Sequence, residues 1–305
     1  MRTSHVHALL FLLLAVPTSQ AGETVLADDQ SAAAFDPDSG ALIRLENKTS
    51  HWVIERRPEL GVSFRLFAPL PTRRYNPVLG QKQPAAEVKK VSDHEIRILW
   101  KTLTSENGGV LPMSLTAEVT LTHGVLTFGA KLQNDSELKV ETIDYPYFGD
   151  FNPPDRQASL EARTLQEAKT DVLVADELYP HFRNEKGYWG VSYPTKTLEA
   201  GRSPFCLIQA PGQGVYVGMA NAKAAYRLQY TFEQHPGLVS TATSLVPPED
   251  EFSGFPVHLE FRLCHFIFAP PHSTTNLEPV VLTAYEGDWH QGLALYKKWH
   301  STPAR

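Results

Sequence analysis

Apolar side chains alternate with polar ones along most of this chain, and a period of two restricts such a chain to β-strands with one buried face. The clearest case runs from Ser114 to Leu132. Every second residue from Leu115 to Leu121 is apolar, Thr122-His123-Gly124 has the composition of a turn, and the alternation resumes at Leu126. This stretch predicts a long β-hairpin.

Shorter runs of the same kind, separated by Gly, Pro, Asn or Asp, predict more strands along the chain. They are Leu42–Glu46, Trp52–Glu55, Val62–Phe67, Glu87–Val91, Glu95–Trp100, Phe205–Ala210, Gly214–Ala220, Tyr226–Phe232, Leu238–Val246, Val257–Phe268 and Val280–Tyr285. This many antiparallel strands with short turns predict an all-β fold, a large two-sheet sandwich.

Two regions depart from the period of two. Residues 144–204 are rich in proline, aromatic residues and histidine, which predicts a long functional loop region, with a short helical stretch near Ser159–Lys169. Close to the C-terminus, Asp288 and Gln291 are spaced as the first and last members of a helix capping box. The predicted helix carries one apolar face, made of Trp289, Leu293, Tyr296 and Trp299.

The N-terminus has the layout of a secretory signal peptide. Arg2 supplies a positive charge, Ala8–Val16 is apolar, and Ser19 and Ala21 are small residues at a cleavage site. The apolar run is nine residues long, whereas roughly 20 are needed to span a bilayer. We therefore expect residues 1–21 to be removed, and a secreted or periplasmic protein that has no membrane contact after cleavage.

Charge and motifs exclude several classes of function. The formal net charge is −6 with no long basic cluster, so nucleic acid is not an expected partner. The sequence has no metal-ligand spacing and no Gly-rich phosphate loop, so no metal and no cofactor are expected. Cys206 and Cys264 are the two cysteines, and the sequence leaves open whether they form a bridge or two buried thiols.

Several segments, taken in order, carry a family resemblance. They are Asp36-Pro37-Asp38-Ser39-Gly40 leading into Ala41–Lys48, Tyr179-Pro180-His181-Phe182 with Gly187-Tyr188-Trp189-Gly190, Gly214–Gly218, and Gly287-Asp288-Trp289-His290-Gln291-Gly292 continuing to Trp299. Together they resemble the galactose-mutarotase-like β-supersandwich that precedes the (β/α)8 barrel in many bacterial glycoside hydrolases. The resemblance implies a supersandwich domain over residues 22–286 and a linking helix with a short tail over residues 287–305.

The same resemblance implies a partner. In such enzymes the helix joins the sandwich to the barrel, and the barrel holds the catalytic carboxylates. A barrel needs about 250 residues, whereas only Ser301–Arg305 follow the predicted helix. We therefore expect this chain alone to be noncatalytic, and a barrel domain or subunit to contact it through Trp289, Tyr296 and Trp299.

Carbohydrate is the expected ligand, because pyranose rings pack on aromatic side chains while their hydroxyls need fixed polar partners. The predicted binding residues all come from the proline-rich region: Tyr145, Tyr147, Asp150, Tyr179, His181, Arg183, Tyr188 and Trp189. Two alternatives remain open. One is an aldose 1-epimerase or glycosidase that uses His181 with Glu177 or Glu185 as acid and base. The other is a structural subunit that docks onto a barrel.

Overall fold

The computed structural model describes residues 22–55, 62–80, 83–149, 154, 160–166, 172–177, 196–197, 203–219, 228–235 and 258–300. Of these, residues 166, 172–177, 196–197, 228–229, 231–235, 258–260 and 300 are described by their backbone alone. Strands dominate this part of the chain, and they pair antiparallel throughout. The predicted signal peptide, the predicted strand Leu238–Val246 and the tail 301–305 lie outside it.

The strands form three sheets. The first has the order β1-β2-β3-β4, made of Thr24–Ala27 (β1), Ser31–Phe35 (β2), Leu42–Asn47 (β3) and Trp52–Glu55 (β4). The six-stranded sheet has the order β14-β17-β18-β11-β5-β6, made of Lys196–Thr197 (β14), Leu228–His235 (β17), His258–Ala269 (β18), Val140–Gly149 (β11), Arg65–Phe67 (β5) and Pro77–Leu79 (β6).

The ten-stranded sheet has the order β13-β12-β15-β16-β20-β10-β9-β8-β7, with β19 also paired to β10. Its strands are Val172–Glu177 (β13), Glu161–Gln166 (β12), Phe205–Ala210 (β15), Gln213–Met219 (β16), Val280–Glu286 (β20), Val125–Asn134 (β10), Gly109–Thr122 (β9), Glu95–Ser105 (β8), Glu87–Ser92 (β7) and Ser273–Asn276 (β19).

The hairpin predicted around Ser114–Leu132 is confirmed as β9 and β10, which pair from Thr122 and Val125 onward. His123 and Gly124 form its two-residue turn, and both have positive φ, 50° and 73°. Two successive residues with positive φ match the twist of the flanking strands, so the turn fixes the register. The register then places every apolar position of the alternation on the buried face.

One continuous core joins the three sheets. Phe35, Trp100 and Phe148 come from the four-, ten- and six-stranded sheets, and each is at most 1% exposed. The Trp100 indole N–H also donates to the Ser39 carbonyl oxygen at 2.9 Å, which satisfies its only polar atom. Burying each of these rings stabilises the fold by about 1.5–3 kcal/mol. The predicted all-β supersandwich is therefore the observed architecture.

The C-terminal helix, Trp289–His300 (α1), begins with the predicted capping box. The Asp288 carboxylate accepts the His290 backbone N–H at 2.9 Å, and the Gln291 side-chain oxygen accepts the Asp288 N–H at 3.0 Å. The apolar face of α1 packs on the outer side of the ten-stranded sheet, away from the core. The Tyr296 ring lies 4.9 Å from Phe205, and Trp299 lies 4.8 Å from Tyr216. The three predicted barrel contacts therefore already pack against this domain's own sheet.

Some sequence-based predictions were wrong. The helical stretch near Ser159–Lys169 is instead strand β12, which pairs on both sides with β13 and β15. The predicted loop region also begins too early, since β11 runs through to Gly149. Cys206 and Cys264 are two separate buried thiols on different sheets. Within the described ranges, no helix has the length and apolar character needed to cross a bilayer.

Candidate functional site

Most of the predicted site residues lie outside the described part of the chain. These are Asp150, Tyr179, His181, Arg183, Glu185, Tyr188 and Trp189. Glu177 is the last residue of β13, an edge strand of the ten-stranded sheet, and its backbone pairs with Glu161. The roles assigned to these residues remain predictions. The described part does place Tyr145 and Tyr147, both on β11.

A β-bulge in β11 separates the two tyrosines. Asp144 pairs with Cys264 and Tyr147 with Arg262, so β11 carries one extra residue around Tyr145-Pro146. Tyr145 consequently lies in the core, 4% exposed and 6.1 Å from the Phe128 ring, and burial raises the pKa of its hydroxyl. Tyr147 lies on the opposite face of the sheet, beside Arg262. This position favours a packing role for Tyr145.

Asp144 lies at the centre of that opposite face and binds two arginines. Its Oδ2 accepts from Arg65 Nε at 2.7 Å and from Arg262 Nη1 at 2.9 Å. The carboxylate is 1% exposed, whereas the two arginine side chains are 20% and 14% exposed. Oδ1 is also buried, and the neighbouring Cys264 thiol hydrogen-bonds to this carboxylate. We call Arg65, Asp144 and Arg262 the Asp144 cluster; it is a buried carboxylate held by two partly exposed guanidinium groups.

Two titratable neighbours of the cluster are unsuited to proton transfer. Burial raises the pKa of the Cys264 thiol, and the Asp144 carboxylate raises it further. His265 and Leu66 are the register partners of Ile143 on the two neighbouring strands, and all three side chains lie on the core side of the sheet. The His265 Nε2 atom lies 2.7 Å from the Tyr145 carbonyl oxygen. Burial lowers the pKa of His265 to about 4, so the ring is neutral at neutral pH.

Aromatic side chains lie beside the Asp144 cluster, on either side of Thr142, which precedes Asp144 by two residues on β11. Phe67 and Phe266 are the register partners of Thr142 on the two strands that flank β11, and all three are partly exposed. Tyr75 contacts Phe67 with a centroid distance of 5.7 Å, and Phe268 stacks on Phe266 at 6.5 Å. Tyr75 and Phe268 are 58% and 52% exposed. Exposed apolar rings grouped in this way mark an interaction surface.

Each aromatic pair has a cation over one ring. The Arg65 guanidinium carbon lies 5.4 Å from the Phe67 ring centre, and Lys139 Nζ lies 5.1 Å from that of Phe268. We call Arg65, Phe67 and Tyr75 the first aromatic unit, and Lys139, Phe266 and Phe268 the second. Both units lie on the face of the Asp144 cluster, one on each side of β11.

Phe268 has a strained backbone. Its φ is +46°, in the left-handed region, and it lies at a second bulge, where β18 carries one residue more than β11 between Val140 and Thr142. A bulky residue in this region is a genuine outlier. Such strain costs about 1–3 kcal/mol and clusters at functional sites.

Among the described residues, no group of three or more His, Cys, Asp or Glu side chains is arranged to hold a metal ion. Asp144 is the one buried acidic side chain among the residues whose burial the structure describes. Glycoside hydrolysis uses two carboxyl groups on either side of the bond, and the one buried carboxylate here is engaged by two guanidinium groups.

Sequence reasoning did not identify the Asp144 cluster or the aromatic units. Arg65 alternates with the apolar Leu66 in a predicted strand, which indicates an outward Arg65 side chain. Around His265 the pattern misleads, because apolar Cys264 and Phe266 on either side of a polar residue predict the opposite faces to those observed. What the sequence does not contain is the pairing of β5 and β18 with β11, which brings the Asp144 cluster and the aromatic units together.

Comparison with known proteins supports the fold. No family model matches the chain, and no curated protein matches its sequence. A candidate aldose 1-epimerase from Escherichia coli K12 superposes with a TM-score of 0.52 and 13% identity, covering 87% of this chain and 99% of that one. The alpha-N-acetylgalactosaminidase of Bifidobacterium bifidum, solved with GalNAc, superposes with a TM-score of 0.50 and 10% identity, covering 90% of this chain and 38% of that one. Identities this low establish the fold alone, and the chain has the galactose mutarotase-like β-supersandwich fold.

Proposed function

We propose that this chain is a noncatalytic carbohydrate-binding module that receives pyranose rings on the outer face of the six-stranded sheet. The observation that carries the proposal is the pair of half-exposed aromatic units, each with a cation over one ring. Aromatic rings can cover the apolar C–H face of a sugar, while a cation such as Lys139 can donate hydrogen bonds to its hydroxyls.

The noncatalytic part of the proposal rests on the same face. A general acid or base must exchange a proton near the operating pH. Two guanidinium groups contact Asp144, and His265 is turned toward the core with its pKa lowered to about 4. These groups suit fixed hydrogen bonding better than proton transfer.

Isothermal titration against a panel of neutral and acidic oligosaccharides tests the binding. We expect heat with at least one glycan, and about tenfold weaker binding by Phe67→Ala, since about 1.4 kcal/mol corresponds to tenfold in affinity. Val110→Ala is the matched control, an exposed apolar side chain on β9 of the other large sheet. A folded wild type that binds no glycan would refute the proposal.

A turnover assay tests the noncatalytic part. We expect no mutarotation of aldoses and no release of nitrophenol from nitrophenyl glycosides. Turnover by the wild type that Glu177→Gln or His181→Ala abolishes would favour the enzyme alternative.

The proposal includes export by the signal peptide and association with a catalytic barrel near α1. Because Tyr296 and Trp299 already pack on the domain's own sheet, a barrel would contact the exposed side of the helix, where Ala294 and Lys297 lie. Co-purification with a barrel protein encoded beside this chain, lost in Ala294→Asp, would support the association. Retention of the complex in that variant would contradict this contact surface.

A further inference from the structure

The two aromatic units lie on one face of the six-stranded sheet, with a single strand between them. Phe67 on β5 and Phe266 on β18 are both register partners of Thr142 on β11. Register partners in an antiparallel sheet lie on a line perpendicular to the strands. Neighbouring strands are about 4.8 Å apart, so Phe67 and Phe266 are separated by about 10 Å across the sheet. The partly exposed Thr142 side chain lies midway between them.

This separation is about twice the length of one sugar residue. Six-membered sugar rings are built of bonds of about 1.5 Å, so one residue of an extended glycan measures about 5 Å between its two bridging oxygen atoms. A single pyranose can therefore cover only one unit, and the two rings of a disaccharide are too close together to be centred on both. In a trisaccharide the first and third rings are about 10 Å apart, which matches the distance between the units.

The two units also face the same way, because Phe67, Thr142 and Phe266 lie on the same side of one sheet. In an extended β-1,4-linked glycan each ring is turned over relative to the one before it, so the first and third rings present the same side. A chain of this kind can place both of those rings flat against the two units, with the middle ring over Thr142. An α-1,4-linked glycan coils and does not keep three rings in line.

The rings within each unit provide surfaces that a sugar can contact. Phe266 and Phe268 are nearly parallel, inclined by 24° with their centres 6.5 Å apart, whereas Phe67 and Tyr75 meet at 63° with their centres 5.7 Å apart. Phe268 is 52% exposed although its φ is +46°, a backbone strain that glycine would relieve. Backbone outliers of this kind cluster at functional sites. The strain therefore supports a binding role for the second unit.

We propose that the ligand of this face is an extended oligosaccharide of at least three pyranose residues, which crosses β11 with its first and third rings on the two aromatic units. This inference rests on the proposed function and specifies the length and form of its ligand. Once one ring is bound, the other unit is reached by a second ring of the same molecule. Affinity therefore increases at the chain length that first spans both units, which is the trisaccharide.

Isothermal titration of the full chain tests this length dependence. The probes are β-1,4-linked gluco-, manno- and galacto-oligosaccharides of one to six residues, with α-1,4-linked malto-oligosaccharides of the same lengths as the second arm. In at least one β-1,4-linked series we expect affinity to increase by about tenfold or more between the disaccharide and the trisaccharide. The malto-oligosaccharides should show no such increase.

Two single variants test whether both units are needed. Phe67→Ala and Phe268→Ala each leave one unit in place, so in either variant the trisaccharide should bind no more tightly than the disaccharide, a loss of about tenfold. Val110→Ala is the matched control and should retain the increase at the trisaccharide. Circular dichroism and urea unfolding verify that the variants are folded.

The other outcomes separate this inference from the proposed function. A monosaccharide that binds as tightly as the trisaccharide, an increase already complete at the disaccharide, or an increase that survives in both phenylalanine variants would overturn the inference alone. So would binding confined to glycans other than the β-1,4-linked series, or an equal increase in the malto-oligosaccharides.

Binding of no sugar by the folded protein would overturn both the inference and the proposed function. A dimer that Phe268→Ala dissociates would assign the face to a second copy of this chain and would overturn the inference too.

Discussion

Replacing Asp144 by Asn should destabilise the domain by about 3 kcal/mol. The carboxylate is 1% exposed, and one of its oxygens accepts from both Arg65 and Arg262, at 2.7 Å and 2.9 Å. A hydrogen bond between charged groups contributes about 1.5–3 kcal/mol, against about 1 kcal/mol for a neutral one. Breaking a fully buried pair costs about 3–5 kcal/mol. The low end applies here because both guanidinium groups retain some contact with water.

Glu141→Gln is the matched control for this prediction. Glu141 lies on the same strand and binds Arg74 through two bonds of 2.7 Å and 3.0 Å, but the Arg74 side chain is 79% exposed. An ion pair with this exposure contributes about 1 kcal/mol or less. The two carboxylates thus make charged hydrogen bonds of similar length, and their arginine partners differ in burial.

Urea unfolding followed by tryptophan fluorescence measures both variants. The midpoint should fall in Asp144→Asn with an unchanged slope, and raised salt should leave this loss largely in place. Equal losses in the two variants, or a loss below about 1 kcal/mol for Asp144→Asn, would show that burial does not determine the strength of these pairs.

Three further predictions concern single side chains. Phe268→Gly should be about 1 kcal/mol more stable than Phe268→Ala in urea unfolding, because φ is +46° and only glycine adopts that conformation without strain; equal stability would refute the strain. Tyr145→Phe should not reduce the free energy of unfolding, and should raise it by up to about 1 kcal/mol, because the buried hydroxyl has no hydrogen-bond partner; a clear loss would reveal a missing partner. The pKa of His265 is about 4 in the folded state, below the 6.5 of the unfolded chain. The unfolded chain therefore binds the proton first, and the stability contributed by the neutral ring is complete above pH 6.5 and is lost as the pH falls toward 4. Urea titrations between these pH values should show a slope shallower by up to about 1.4 kcal/mol per pH unit in His265→Gln, and an unchanged slope would contradict the lowered pKa.

The sequence predicts those parts of the fold that local patterns determine. The long hairpin follows from alternation over two strands and a turn with two positive φ values. The start of α1 follows from the three-residue spacing of Asp288 and Gln291. In both cases the interacting residues are close in sequence, so the local sequence pattern is sufficient to predict the structure.

The errors arise where pairing overrides local pattern. Prolines suggested that a loop begins at residue 144, but Pro146 lies at a bulge, where a strand tolerates a residue without an N–H. Glu161–Gln166 has a composition compatible with a helix, yet two neighbouring strands make it part of a sheet. The bulge also explains why Tyr145 and Tyr147 lie on opposite faces, although a regular strand would place residues two apart on the same face.

The Asp144 cluster joins distant parts of the chain, and this has a consequence for folding. Asp144 contacts an arginine 79 residues earlier and another 118 residues later. The face therefore exists only after β5, β11 and β18 have assembled, and no isolated hairpin can carry a part of the proposed binding site. Any ligand bound there stabilises the assembled domain as a whole, by about 2.7 kcal/mol at a concentration of 100 times its Kd. Sugar binding by this chain would thus report complete folding, and a glycan-rich medium would select the fully folded form.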